Sequence, residues 1–208
     1  MNLLGILENG LFALGQVLRL PVIVLLWASV ASVLFLSGDC LLEFVMRRRE
    51  RIGFSVTAWL REGGVLGASS DRRQQLPGVL RTLLADVERR QSERMLTNGG
   101  LEHVVLAHEE RIRGRLTMPR LLVKVGPSLG LLGTLIPMGA SLASLASGNL
   151  EAMAGQMVVA FTTTIVGLAV GTLAYVVATV RQHWVVEIVR EERYLAERVA
   201  SEMESGAV

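Results

Sequence analysis

Apolar residues run without a single charge from about Leu20 to Gly38, from Val125 to Leu150 and from Ala152 to Val180. About 20 residues of helix cross the hydrocarbon core of a bilayer, so each run is long enough to span. Between the first and second lies an arginine-rich stretch, residues 47–120, that hydrocarbon would not accept. The pattern predicts an all-α, polytopic membrane protein with three transmembrane helices and a cytoplasmic helical bundle. The boundaries it sets are 20–42, 121–147 and 152–181 for the spans, 43–120 for the cytoplasmic helical region, and 182–208 for a cytoplasmic C-terminal helix or tail. A short outward-facing loop at 148–151 joins the last two spans.

Ahead of the first span, Leu3, Leu4, Leu7, Leu11, Leu14 and Leu18 recur at spacings of three and four. This predicts an outward-facing amphipathic helix over 1–19 lying at the interface, the alternative being that it simply extends the span. It does not read as a signal peptide: it has no basic leading region, Glu8 precedes Arg19, and no small-residue cleavage site follows. Pro21 suits the first turn of the span behind it.

Within 43–120 the periodicity is helical again but interrupted. "REGGVLGASSDRRQQLPG" reads as a loop and "TNGG" (Thr97–Gly100) as a helix stop and turn. Leu76, Val79, Leu80, Leu83, Leu84 and Val87 repeat at helical intervals among charges, and the run Leu101–Leu116 does the same. Such helices pack as a bundle.

Composition and charge sharpen this layout. The chain is 51% hydrophobic yet 19% charged, with a net charge of +2. Arg47, Arg48, Arg49 and Arg51 follow the first span, Arg113, Arg115, Arg120 and Lys124 precede the second, and Arg181 closes the third. The positive-inside rule therefore puts the middle segment and C-terminus in the cytoplasm and the N-terminus outside. The arginines answer to topology and anionic lipid, not to nucleic acid. Cys40 is the only cysteine, which excludes an intrachain disulfide and a cysteine metal site, and it reads as a small packing residue. His103 and His108 are five apart and do not share a face, so no metal site is expected; His183 falls where the third span leaves the bilayer. There is no nucleophile–base constellation, phosphate loop or cofactor motif, so no enzyme activity and no cofactor are expected.

The chemistry concentrates in the last two spans. Pro127, Gly130, Thr134, Pro137, Ser141 and Ser144 are spaced by three and four and share one helical face. Gln156, Ala160, Thr164, Gly167, Gly171, Ala174 and Ala178 repeat the pattern in the third span. Other faces of the second span carry Leu131, Leu132, Leu135, Ile136 and Leu142, which suit lipid, and the opposite faces of the third carry Val158, Val159, Phe161, Ile165, Val166 and Val170. Thr134 and Thr164 stand equally far from Asn149, roughly 20 Å along a helix rising about 1.5 Å per residue. Pro137 removes an amide hydrogen and frees the carbonyl of Gly133, tolerable at that depth only inside protein or beside water. Two uses fit such stripes: close helix packing, with Gly126-x-x-x-Gly130 and Gly167-x-x-x-Gly171 as contacts, or the lining of a pore.

The stretches "GPSLGLLGTLIPMG" and "AFTTTIVGLAVG" resemble the MotA/TolQ/ExbB family of proton-channel subunits. Pro127, Gly130, Leu131, Gly133 and Thr134 match the pattern of its first pore helix, and Thr164, Gly167 and Leu168 that of the second. The charged helix "LEHVVLAHEERIRGRL" running into the hairpin also fits.

The resemblance implies a homo-oligomeric ring, a pentamer, in a prokaryotic inner membrane. A single-span partner similar to ExbD, TolR or MotB would stand inside the ring and carry the ion-binding aspartate. Thr134, Thr164, Pro137, Ser141 and Gln156 would line the ion pathway, while Pro127, Gly130, Gly133, Gly167 and Gly171 pack the helices. Neither charge-free run, 125–150 or 152–180, contains Asp, Glu, Lys, Arg or His, and proton carriage at mid-membrane ordinarily uses an ionisable group of that kind, so the carboxylate has to come from elsewhere. Val159 stands where many ExbB- and TolQ-like members carry a glutamate, and Pro137 also departs from the ExbB-like pattern. Of the three threonines 162–164, spacing and family both select Thr164. The competing functions are a non-conducting membrane scaffold and a small-solute permease.

Overall fold

The computed structural model describes residues 3–50, 59–60, 63, 65, 69–92 and 98–204. Among the described residues the helices with both ends placed are α1 (Leu3–Glu50), α2 (Ser70–Gln74), α3 (Gly78–Ser92), α4 (Asn98–Gly114), α5 (Thr117–Ala146) and α6 (Leu150–Glu204). No strand occurs among the described residues. Among the described residues three helical stretches are long and apolar enough to cross a membrane, within Ala13–Arg47, Gly100–Ala146 and Leu150–Met203.

The chain folds as two units, one of residues 1–39 and 118–178, the other of residues 40–117 and 179–208. In the first, the apolar part of α1 packs on α5 and α6. Val33 meets Leu122, Val170 and Ala174 in one cluster, and Val22 and Leu26 meet Leu129 in another. The outward faces remain apolar: Leu131, Leu135, Leu142, Phe161 and Ile165 are all exposed.

In the second unit the core is built from α3, α4 and the end of α6. Leu76, Leu80, Leu83, Leu84 and Val87 are buried against Leu101, Val104, Leu195 and Val199, so the helical repeat of the sequence is the buried face of α3. Polar contacts hold Trp59 and Val65 within this unit. Trp59 donates its indole N–H to the Arg72 carbonyl at 3.0 Å, and the Arg72 guanidinium lies 4.7 Å from that ring. The Val65 amide donates to both carboxylate oxygens of Glu202 at 2.9 Å.

Several sequence expectations change. α1 is one unbroken helix through residues 19 and 20, and Pro21 sits in its interior, not in a first turn. A proline costs a helix one hydrogen bond, but a membrane helix tolerates that loss where neighbouring helices support it. Leu14 and Leu18 are exposed, while the side chains of Leu3, Leu4, Leu7 and Leu11 lie outside the described residues. The segment expected to be loop before Gly78 contains the short helix α2. Asn98, Gly99 and Gly100 open α4 instead of ending a helix, because the first turn of a helix leaves its amides unpaired anyway and tolerates glycine; Thr97 lies outside the described residues. The C-terminal stretch 182–204 is the direct continuation of α6.

Candidate functional site

The α5–α6 hairpin starts from its turn. Gly148 adopts φ +75°, a left-handed conformation that glycine takes without a Cβ penalty. Its amide donates to the Leu145 carbonyl and that of Asn149 to the Ser144 carbonyl, both at 2.9 Å, which satisfies the last carbonyls of α5. Asn149 then caps α6, its side-chain oxygen accepting from the Ala152 amide at 3.0 Å. Three residues thus reverse the chain, and the two helices run back side by side.

Their contact is made by glycine. A Cβ added to Gly167 would lie 2.6 Å from the Gly130 Cα and 2.7 Å from the Gly126 carbonyl oxygen. One added to Gly130 would meet the Gly167 Cα at 3.1 Å, and one on Gly171 the Pro127 ring at 2.6 Å. Gly133 faces Thr163, at 2.7 Å on the same construction. Farther along, Ser141 is almost wholly buried and donates to the Met153 carbonyl at 3.4 Å. Pro127, Gly130, Gly133 and Ser141 therefore turn toward α6 of their own chain, and Pro137 is buried with them.

The threonines stand at the margin of this contact. Thr134 is half-buried and donates to the Leu131 carbonyl at 2.7 Å. Thr163 and Thr164, also half-buried, both donate to the Ala160 carbonyl, at 2.8 and 3.3 Å; Thr162 is exposed. Since Gly130 lies opposite Gly167 and Gly133 opposite Thr163, Thr134 and Thr164 stand within about a helical turn of one depth. Each hydroxyl spends its hydrogen on its own helix and keeps its lone pairs for an outside donor. Gln156 has its side-chain carbonyl oxygen buried with no hydrogen-bond partner among the described residues.

The second unit holds polar groups that spacing alone did not reveal. His108 Nδ1 lies 2.6 Å from Glu192 Oε1, and Glu192 is fully buried. Burial pushes the Glu192 carboxyl above the ordinary carboxylate range; the His108 hydrogen bond opposes the rise and the neighbouring charge of Glu109 adds to it. Glu109 is held below that range by Arg193, whose Nε donates to it at 2.6 Å. Both pairs lie outside the charge-free spans and join residues 84 positions apart. The signal available in sequence was weak: His108 and Glu109 fall on the buried face of an amphipathic helix, where polar residues need partners. No group of three or more metal-ligating side chains occurs among the described residues.

Neither curated proteins nor solved structures provide a match to the chain. The profile of the MotA/TolQ/ExbB proton channel family matches residues 73–193, more than half of the 208. That match takes in α4, the glycine-packed hairpin and the threonines on its margin, and the chain belongs to the MotA/TolQ/ExbB proton channel family.

Proposed function

We propose that the chain is the pore-forming subunit of a proton-motive-force-driven membrane motor, coupling ion flow to movement of a single-span partner that carries the ion-binding aspartate. The observation that carries this reading is the hairpin of a proton-channel family in which no Asp, Glu, Lys, Arg or His lies between Val125 and Leu150 or between Ala152 and Val180. An acid from a partner supplies the missing proton carrier. Thr134 and Thr164 offer hydroxyl lone pairs near one depth, which accept from a protonated carboxyl or from water and favour the neutral acid. The buried oxygen of Gln156 offers a further acceptor. Copies of the chain form the ring, a pentamer, in a prokaryotic inner membrane, with α5 and α6 facing its centre.

Proton flux into vesicles carrying the chain and its partner tests the reading. Thr134→Val with Thr164→Val should leave assembly intact and reduce flux by more than about tenfold, an expected loss of at least 1.4 kcal/mol of barrier stabilisation. Undiminished flux in the double variant would sink it.

A second reading has its own observation. Pro127, Gly130, Gly133 and Ser141 meet α6 within one chain, and the threonine hydroxyls already donate to their own helices. A non-conducting scaffold needs no more than this. In that case Gly130→Leu disrupts the oligomer while threonine substitutions change nothing.

A further inference from the structure

Where α3, α4 and the end of α6 pack together, three polar side chains form one hydrogen-bonded row. Thr82 comes from α3, His108 from α4 and Glu192 from α6. His108 Nδ1 lies 2.6 Å from Glu192 Oε1, and His108 Nε2 lies 3.4 Å from Thr82 Oγ1. His108 and Glu192 are buried, while Thr82 stands exposed at the outer end.

The contacts fix where the hydrogens of this row lie. The Thr82 hydroxyl is 2.7 Å from the Val79 carbonyl, which only accepts, so its hydrogen is spent there. Toward His108 the threonine oxygen offers a lone pair, and Nε2 therefore carries a hydrogen. The 2.6 Å contact at the other ring nitrogen needs a second hydrogen between Nδ1 and Oε1. Two protons on imidazole and carboxyl together make the pair neutral, whichever atom holds the shared one. Glu192 Oε2 agrees with this count, being buried with no donor among the described residues, a setting that penalises an ionised carboxylate.

Loss of one of the two protons changes both contacts. The remaining hydrogen stays between Nδ1 and Oε1, Nε2 is left bare, and its lone pair faces that of Thr82 Oγ1. The hydroxyl then satisfies Nε2 only by abandoning the Val79 carbonyl. A net negative charge also appears in the buried pair, next to Glu109, whose carboxylate is bound by Arg193 at 2.6 Å and Arg113 at 3.6 Å. Other charged groups share a cavity wall with His108: Arg111 and Arg115 from α4 and the turn after it, Arg181 from α6, and Glu43 and Arg47, bonded to each other, from α1. From α3 that wall receives only neutral residues, Thr82 among them. Burial and Glu109 favour the protonated Glu192 carboxyl, and the hydrogen bond and charge of His108 oppose them, with burial the largest influence.

We propose that Thr82, His108 and Glu192 form a pH-sensitive clasp. The neutral pair holds α3 to α4 and α6, and loss of its proton as pH rises above the ordinary carboxylate range loosens α3. The clasp acts within the second unit and does not require ion conduction by the hairpin.

Hydrogen exchange of the full-length protein in detergent, corrected for the intrinsic pH dependence of amide exchange, is followed by mass spectrometry between about pH 5 and pH 9. Peptides from α3 should lose about tenfold in protection, relative to peptides from 152–180, as pH rises. Glu192→Gln, which keeps the shape and cannot ionise, should hold α3 protection level across the range. Thr82→Val removes the acceptor at an exposed position and should shrink the fall, whereas Thr82→Ser should restore it. Both threonine variants leave the buried pair in place, so the effect is read on folded protein even where Glu192→Gln is unstable. Constant α3 protection in the parent, the same fall in Glu192→Gln or Thr82→Val, or a shrunken fall in Thr82→Ser overturns the proposal.

Discussion

Glu192 is the most constrained side chain in the second unit, fully buried, with one oxygen 2.6 Å from His108 and the other without a partner among the described residues. Burial outweighs the histidine's pull and raises its pKa. A carboxyl with a raised folded pKa contributes stability that is complete at low pH and is lost as pH climbs through that folded value. Glu109, with its lowered pKa, behaves oppositely, its contribution being lost as pH falls. Glu192→Gln should therefore flatten the decline in stability as pH rises above the ordinary carboxylate range, and Glu109→Gln the decline as pH falls below it, in urea titrations over pH. His108→Ala removes the one hydrogen bond of the buried Glu192 carboxyl and should cost about 1–3 kcal/mol, the range for a buried polar group left unpaired. A stability profile in Glu192→Gln identical to the parent's would refute the assignment.

In the hairpin, packing tolerance differs from one glycine to the next. Gly167 is hemmed in by backbone atoms of α5, which cannot move aside as a flexible side chain can. Gly139 and Gly155, on the same two helices, have nothing within 4 Å of an added Cβ. Gly167→Ala should destabilise by about 1–3 kcal/mol, the usual cost of overpacking. Gly139→Ala and Gly155→Ala should be neutral or slightly stabilising, since alanine is the better helix former. Thermal unfolding in detergent separates them, and equal Tm values for all three would contradict the close contact. The helical repeat told that Pro127, Gly130 and Ser141 share a face. It did not tell that this face meets α6 of the same chain, because a stripe of small residues looks alike whether its neighbour is the next helix, another subunit or a pore.

Across the whole molecule, arginine placement sets the expected orientation: the N-terminus and the Ser147–Asn149 turn outside, the arginine-rich second unit and the end of α6 in the cytoplasm. With Cys40, the only cysteine, changed to serine, Ser147→Cys should react with an impermeant thiol reagent from the outer side. Ser201→Cys, exposed near the end of α6, should react only once the membrane is opened. The reverse pattern would invert the topology.

The three apolar runs, the buried face of α3 and the family motif of the hairpin were all readable from the chain, because each is a local period or a short contiguous pattern. The continuity of α1 through Pro21 was not, since proline marks a helix start and a tolerated interior position with the same letter. Nor were the pairs His108–Glu192 and Glu109–Arg193. Their partners lie on different helices, 84 residues apart, and no periodicity links them. Burial of these polar residues arises only when the helices pack and withdraw them from water, which is why tertiary structure alone decided where this protein carries its buried charge.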